Sequence, residues 1–184
     1  MPGEKKITIP NFVEHISPNS FLDCQSFNEI KFEADSKLQI IGENAYRKLN
    51  IECIRIPPKV KVIDDFSFEN SKINHIYISA NVERIGKKSF HKGLISNIEF
   101  EKDSKLKIID DEAFARTFIE SIKIPSHVTR IGKGCFNYCH SLNLLEIDSN
   151  SELQIIDDMA LCNTNIQSIC IPSSVVYIGA KCFI

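Results

Sequence analysis

The chain predicts a strand-dominated α/β solenoid, wound right-handed through about eight repeats. Three observations predict it. One phrase recurs along the 184 residues: Ile-x-Ile, a short loop, then Val/Leu-x-x-Ile-(Gly/Asp)-x-x-(Ala/Ser/Cys)-Phe. Its first apolar residue falls at Ile7, Ile30, Ile54, Ile76, Ile98, Ile122, Leu145 and Ile169, in steps of 22 to 24 residues. A unit that short cannot bury its own apolar face, whereas stacked neighbours share one continuous core. Length alone would fit one or two ordinary globular domains, and the fixed period overrules it.

Each part of the phrase has a structural reason. The alternation Ile-x-Ile puts both apolar side chains on one face of a short strand. Three residues earlier stands another apolar side chain, as at Phe27, Ile51, Ile73 and Ile95. Pro10, Pro57, Pro125 and Pro172 follow the strand segment. Proline lacks the ladder donor, so the strand ends there. The next pair, such as Val60 with Ile63 or Val128 with Ile131, carries the chain back across the core. Gly or Asp mostly follows that Ile, both suited to a turn. A small residue then precedes Phe21, Tyr46, Phe68, Phe90, Phe114, Phe136, Leu161 and Phe183. This last stretch reads as short turns or one helical or 3₁₀ turn that plugs the coil.

Parallel strands with crossover returns favour a right-handed coil. The expectation is a single elongated domain over residues 1–184, with a parallel sheet along one side. Repeats three, four, six and eight carry a short loop. Repeats two, five and seven carry two extra residues, as in Phe100-Glu101-Lys102-Asp103-Ser104-Lys105-Leu106, which should bulge at one rim.

The run Ile-x-Ile-Pro-x-x-Val-x-x-Ile-Gly-x-x-Cys-Phe-x-x-Cys stands intact from Ile122 to Cys139, and a second copy runs from Ile169 to Phe183. This pattern resembles the BspA-like leucine-rich repeats, also called the Treponema pallidum type. The resemblance covers the chain from about Ile7 to its end. It implies a leucine-rich-repeat solenoid in a surface-exposed or secreted protein, often an adhesin or surface antigen that binds host proteins. It implies no shared catalytic residues.

The 22 basic and 24 acidic side chains give a formal net charge of -2. That argues against nucleic-acid binding, which needs a basic footprint. Residues 1–20 hold no apolar stretch of the kind a signal peptide needs. No run is long enough to span a bilayer. Two readings follow: an intracellular protein, or a section of a longer chain. The second is the expectation. Solenoid ends need polar caps, and the last phrase stops at Phe183-Ile184 with apolar residues such as Ile169 and Ile171 at the open end. End-to-end self-association is therefore expected.

The seven cysteines show no matched spacing and are read as free thiols. Cys135 and Cys182 occupy core slots, while Cys53 and Cys170 fall on the outward strand face. Cys135, Cys139 and His140 lack the second ligand pair that zinc would need. No metal or cofactor is assigned. No phosphate loop, nucleophile elbow or dinucleotide fingerprint is present, so no enzyme is read.

Acidic turns at Asp64-Asp65, Asp110-Asp111-Glu112 and Asp157-Asp158 alternate with basic ones at Gly86-Lys87-Lys88, Gly132-Lys133 and Gly179-Ala180-Lys181. They predict a ladder of exposed turn-to-turn ion pairs that helps to select register.

The outward strand positions offer the candidate site: Arg55, His75, Tyr77, Glu99, Lys123 and Glu146. Arg and Tyr are favoured in binding hot spots. Glu99, Lys123 and Glu146 are expected to pair across adjacent strands. The function read from these features is a non-catalytic protein-interaction module. It would belong to a cell-surface adhesin or surface antigen whose ligand is a protein or glycoprotein. The alternative is an intracellular repeat scaffold or regulatory domain.

Overall fold

The computed structural model describes residues 5–184, so residues 1–4 of the expected domain lie outside the described residues. Each coil lays down a front strand and then a short return strand. The first coil contains β1 (Lys6–Ile9) and β2 (His15–Ile16), and the second β3 (Glu29–Phe32) and β4 (Ile40–Ile41). The third contains β5 (Cys53–Arg55) and β6 (Val62–Ile63), and the fourth β7 (His75–Ile78) and β8 (Arg84–Ile85). The fifth contains β9 (Asn97–Phe100) and β10 (Ile108–Ile109), and the sixth β11 (Ser121–Ile124) and β12 (Arg130–Ile131). The seventh contains β13 (Leu144–Ile147) and β14 (Ile155–Ile156); the eighth contributes β15 (Tyr177–Ile178) alone. The result is a strand-dominated parallel solenoid, with no helix among the described residues.

The return strands form one unbroken eight-stranded parallel sheet in the order β2-β4-β6-β8-β10-β12-β14-β15. Its inward column of Ile41, Ile63, Ile85, Ile109, Ile131 and Ile156 is buried. The front strands alternate as their sequence predicts. In β11 the burial runs exposed, buried, exposed, buried over Ser-Ile-Lys-Ile.

The front sheet, however, is not continuous. It divides into three blocks: β1-β3, β5-β7-β9 and β11-β13. Every interruption follows a repeat with the longer loop. The interrupted steps, Ile30 to Ile54, Ile98 to Ile122 and Leu145 to Ile169, are each 24 residues, whereas the paired steps are 22 or 23. The return sheet holds all coils in register behind. The extra residues are therefore taken up at the rim, and the front strands part there. The eighth front segment, residues 168–171, lies beyond the third interruption and forms no strand.

Aromatic plugs fill the coil interiors. Phe21, Tyr46, Phe68, Phe90, Phe114 and Phe136 stack with ring centroids 5.1 to 5.6 Å apart. That matches the strand spacing of about 5 Å, so each ring continues the one below. Leu161 takes the slot in the seventh coil and is buried, while Phe183 in the eighth is half exposed.

The plug segment resolves to linked turns, and its helical alternative is not formed. Left-handed residues recur four apart within each plug: Phe66 and Asn70, Lys88 and Lys92, Glu112 and Arg116, with φ between 52° and 61°. A right-handed helical turn cannot contain them. The plug amides donate to the next coil instead, as Phe68 N–H does to Ser89 O at 2.7 Å and Phe90 N–H to Ala113 O at 2.8 Å.

Candidate functional site

The front sheet's middle block gathers four of the six candidate residues. Register places Arg55 opposite Tyr77, and Tyr77 opposite Glu99. His75 and Tyr77 are two apart on β7 and so share its outward face. The Arg55 guanidinium carbon lies 4.2 Å from the Tyr77 ring centroid, and the His75 ring stacks on Tyr77 at 4.4 Å. His75 Nε2 is 3.1 Å from Glu99 Oε1, and Arg55 Nη1 is 3.6 Å from Glu101 Oε1. The row runs from a cation through two rings to a carboxylate. Its ends are open to solvent: the Arg55 and Glu99 side chains are 62% and 60% exposed.

Lys123 and Glu146 belong to the next block, on β11 and β13. They stand opposite each other in register, but the expected pairing of Lys123 with Glu99 and Glu146 does not form. Lys123 Nζ lies 3.1 Å from Asp148 Oδ1 instead. The lysine stem is long enough to reach past the residue opposite, and Asp148 stands at the end of the next strand. Glu99 turns to His75, because the interruption between β9 and β11 separates it from Lys123. An open groove of about 580 Å³ occupies that interruption, lined by Glu99, Phe100, Glu101, Lys123, His127 and Asp148 among others.

The charged ridge also departs from expectation. The acidic turns do not pair mainly with the lysines of the neighbouring turns. They converge on Arg84 and Arg130, which point outward from the return strands beside buried Ile85 and Ile131. Arg84 Nη2 lies 2.7 Å from Asp65 Oδ1 and 2.9 Å from Asp110 Oδ2. Arg130 Nη2 lies 2.7 Å from Asp111 Oδ1 and 2.8 Å from Asp157 Oδ2. Burial opposes the charge of both guanidiniums, but the hydrogen bonds they donate to these carboxylates outweigh it and raise their pKa values. Lysines add weaker pairs, Lys88 with Glu112 at 3.5 Å and Lys133 with Asp158 at 3.6 Å.

The second Asp of each pair also caps the next turn. Asp65 Oδ1 accepts from Lys87 N–H, Asp111 Oδ1 from Lys133 N–H and Asp158 Oδ1 from Ala180 N–H, at 2.8 to 3.0 Å. Glycine in the following coil permits this approach. A Cβ on Gly132 would lie 2.6 Å from the Asp110 carbonyl carbon and the Asp111 nitrogen. The arginines could have been found from a two-coil period. In the sequence, Arg84 and Arg130 each stand two residues before the turn glycine, with Asp-Asp turns in the coils on both sides.

The seven cysteines are free thiols, with Cys53 and Cys170 exposed and Cys135, Cys139, Cys162 and Cys182 buried. Burial pushes the Cys135 and Cys139 thiols above their ordinary pKa. No three His, Cys, Asp or Glu side chains are grouped to hold a metal ion among the described residues. No helix there is long and apolar enough to cross a membrane.

Comparison with known proteins agrees with this architecture. The family model described as the BspA type leucine rich repeat region matches in six copies, over residues 4–114 and 107–184. No curated protein matches by sequence. Among solved structures, the pneumococcal vaccine antigen PcpA superposes with a TM-score of 0.63 at 24% identity, over 98% of this chain and 38% of that one. A leucine rich cell surface protein from Faecalibacterium prausnitzii A2-165 superposes with a TM-score of 0.56 at 21% identity, over 97% of this chain and 45% of that one. A leucine-rich repeat protein from Eubacterium ventriosum ATCC 27560 gives 0.52 at 18% identity, over 95% and 55%. The chain thus spans roughly two fifths to just over half the length of these structures. At such identities the likeness shows the fold, and the repeats shared with the family model are the ones whose anchors, plugs and turns build this solenoid. The chain belongs to the BspA-type leucine rich repeat family.

Proposed function

We propose that this solenoid is a non-catalytic interaction module of a cell-surface adhesin or surface antigen, and that it contacts a protein or glycoprotein through its front strands. The observation that carries the reading is the Arg55–Tyr77–His75–Glu99 row. Exposed side chains usually lose rotamer freedom on binding, at about 0.5 to 1.5 kcal/mol each. Here the cation–π contact at 4.2 Å and the ring stack at 4.4 Å already order them. Arg and Tyr are also the residue types that concentrate binding energy. The surface character of two structural neighbours supports the compartment, the vaccine antigen and the cell surface protein.

The test is a binding screen of the chain against immobilised extracellular-matrix and serum glycoproteins, each with and without its glycans. A ligand whose binding is lost in Arg55→Ala/Tyr77→Ala supports the reading. A ligand that binds this double variant as well as the parent removes the site assignment.

The exposed free thiols Cys53 and Cys170 favour a second reading, an intracellular repeat scaffold, because oxidising compartments seldom leave surface thiols free. Antibody access on intact cells decides between the two. End-to-end association is a further part of the proposal. Val176, Tyr177, Ile178 and Phe183 expose apolar surface on the last coil, and a single monomeric boundary in sedimentation velocity at high concentration would contradict it.

A further inference from the structure

A second exposed surface lies away from the front strands, on the rim where each coil leaves its plug aromatic. Two positions per coil point outward there, two and four residues after the plug. The third coil has Asn70 and Lys72, the fourth Lys92 and Leu94, the fifth Arg116 and Phe118. The sixth has Tyr138 and His140. Backbone bonds lock these coils side by side: Lys92 N–H donates to Ala115 O and Arg116 N–H to Asn137 O, both at 2.9 Å. Positions on adjacent coils are therefore about 5 Å apart, the strand spacing.

Three features coincide on this grid over coils three to six. Leu94, Phe118 and Tyr138 are 47%, 53% and 40% exposed, apolar area that an isolated coil rim does not require. The Arg116 guanidinium carbon lies 4.6 Å from the Tyr138 ring centroid, and the His140 ring meets Tyr138 edge-on at 5.7 Å. Over coils three to six these positions hold three cations and no carboxylate, on a chain whose formal net charge is -2. Lys72, Lys92 and Arg116 take part in no ion pair among the described residues. At the same rim position on the first two coils, Asp23 and Lys48 pair with each other at 2.9 Å, so the unpaired cations begin at the third coil. Glu69 precedes Asn70 but is buried against Arg47 and His91. Glu120 lies two residues past Phe118, and Glu29 and Glu52 line the groove beside Lys72 and Leu94 at the grid's front border.

We infer that this rim is a second docking surface, for an acidic peptide segment that carries apolar side chains. Its carboxylates would meet Lys72, Lys92 and Arg116. Its apolar side chains would cover Leu94 and Phe118. An extended segment advances about 3.3 Å per residue, so it would cross the coils with alternate side chains facing the rim. An anionic polysaccharide would satisfy the cations but would leave Leu94 and Phe118 uncovered, which favours the peptide.

The experiment titrates the 184-residue chain into a fluorescein-labelled peptide that alternates glutamate with leucine and phenylalanine, and measures anisotropy. Three controls are a peptide with lysine for glutamate, one with serine for the apolar residues, and labelled heparin. The expected result is saturable binding of the first peptide only. It should weaken at least about tenfold in Leu94→Ser/Phe118→Ser and in Arg116→Glu, as loss of hot-spot contacts does. The altered side chains are exposed, and an unchanged circular-dichroism melt confirms that the variants fold. Arg55→Ala/Tyr77→Ala should bind the peptide as the parent does, which separates this surface from the front-strand site. Absence of saturable peptide binding would overturn the inference. So would peptide binding indifferent to Arg116→Glu, or heparin binding indifferent to Leu94→Ser/Phe118→Ser without peptide binding.

Discussion

Arg84 and Asp110 meet across two coils, with Nη2 2.9 Å and Nε 3.2 Å from the same Asp110 Oδ2. Asp110 also accepts from Arg130, Nη1 to Oδ1 at 3.2 Å. One carboxylate therefore links the fourth coil to the sixth. Arg84, Arg130 and Asp110 have side-chain exposures of 32%, 29% and 23%, intermediate between a surface pair and a buried one. Replacing Arg130 with Ala leaves Asp110, Asp111 and Asp157 crowded without their shared cation. The expected loss is about 1 to 3 kcal/mol in urea denaturation, between the ranges for exposed and buried pairs. Lys87→Ala should stay within about 0.5 kcal/mol, as ordinary surface changes do. Equal losses would show that the arginines do not organise the ridge.

The glycines of the same ridge differ in what they tolerate. Gly132 is pressed against the Asp110–Asp111 peptide, whereas a Cβ on Gly134 would be 3.5 Å from the nearest atom, Glu112 Cγ. Gly134 has φ +59°, a position where other coils place Lys88, Glu112 and Met159. Gly134→Ala should therefore cost about 1 kcal/mol for the left-handed backbone alone. Gly132→Ala should cost at least about 2 kcal/mol, because a crowded backbone must move. The reverse order in thermal melts would contradict the close-approach argument.

Stability should fall in acid in two stages. The His91 side chain is 8% exposed, with Nδ1 3.2 Å from Glu69 Oε1 and Nε2 4.0 Å from Glu112 Oε2. Burial lowers its pKa against the pull of both carboxylates, with Lys92 adding to the lowering. The folded state therefore resists a proton that the unfolded chain accepts, and stability is lost as pH falls below about 6.5. Asp157 follows lower down. Burial opposes its charge, but the Asp158 N–H and Arg130 hold its pKa below the usual range, so its contribution disappears below about pH 4. In His91→Gln, urea midpoints should lose the upper stage and keep the lower one. An unchanged upper stage would place that titration elsewhere.

Thiol accessibility offers an independent check on the coil geometry. Cys53 and Cys170 should react with iodoacetamide in the native protein, Cys24 more slowly, and Cys135, Cys139, Cys162 and Cys182 only on unfolding. Peptide mapping by mass spectrometry reads each site. Early labelling of Cys135 would mean that the sixth coil is not packed as described.

Much of this was legible because buried positions repeat. The Ile-x-Ile anchors, the plug aromatics and the free thiols all follow from volume and period, which every coil must satisfy alike. The position of the candidate row was legible for the same reason, since outward residues alternate with buried ones. The partners of Lys123 and of the aspartates were not. A charged side chain of several bonds can reach a loop or a neighbouring strand, so its partner is not set by its column. Arg84 and Arg130 recur every second coil and alternate with Val62, Ile108 and Ile155 in their column, so a one-coil period does not single them out. The division of the front sheet was written in the sequence, in the 24-residue steps, but its consequence appears only when the unbroken return sheet holds the coils together behind.

We propose the front strands from Arg55 to Glu99 as the ligand-contacting surface. The most direct measurement is the dissociation constant of the glycoprotein ligand found in the screen, by biolayer interferometry. It should be taken for the parent, Arg55→Ala/Tyr77→Ala and Lys123→Ala/Glu146→Ala. Binding should weaken at least about tenfold in the first variant, with an unchanged melt, because a stacked Arg–Tyr pair at a contact centre carries hot-spot energy. An affinity equal to the parent's in Arg55→Ala/Tyr77→Ala would contradict it.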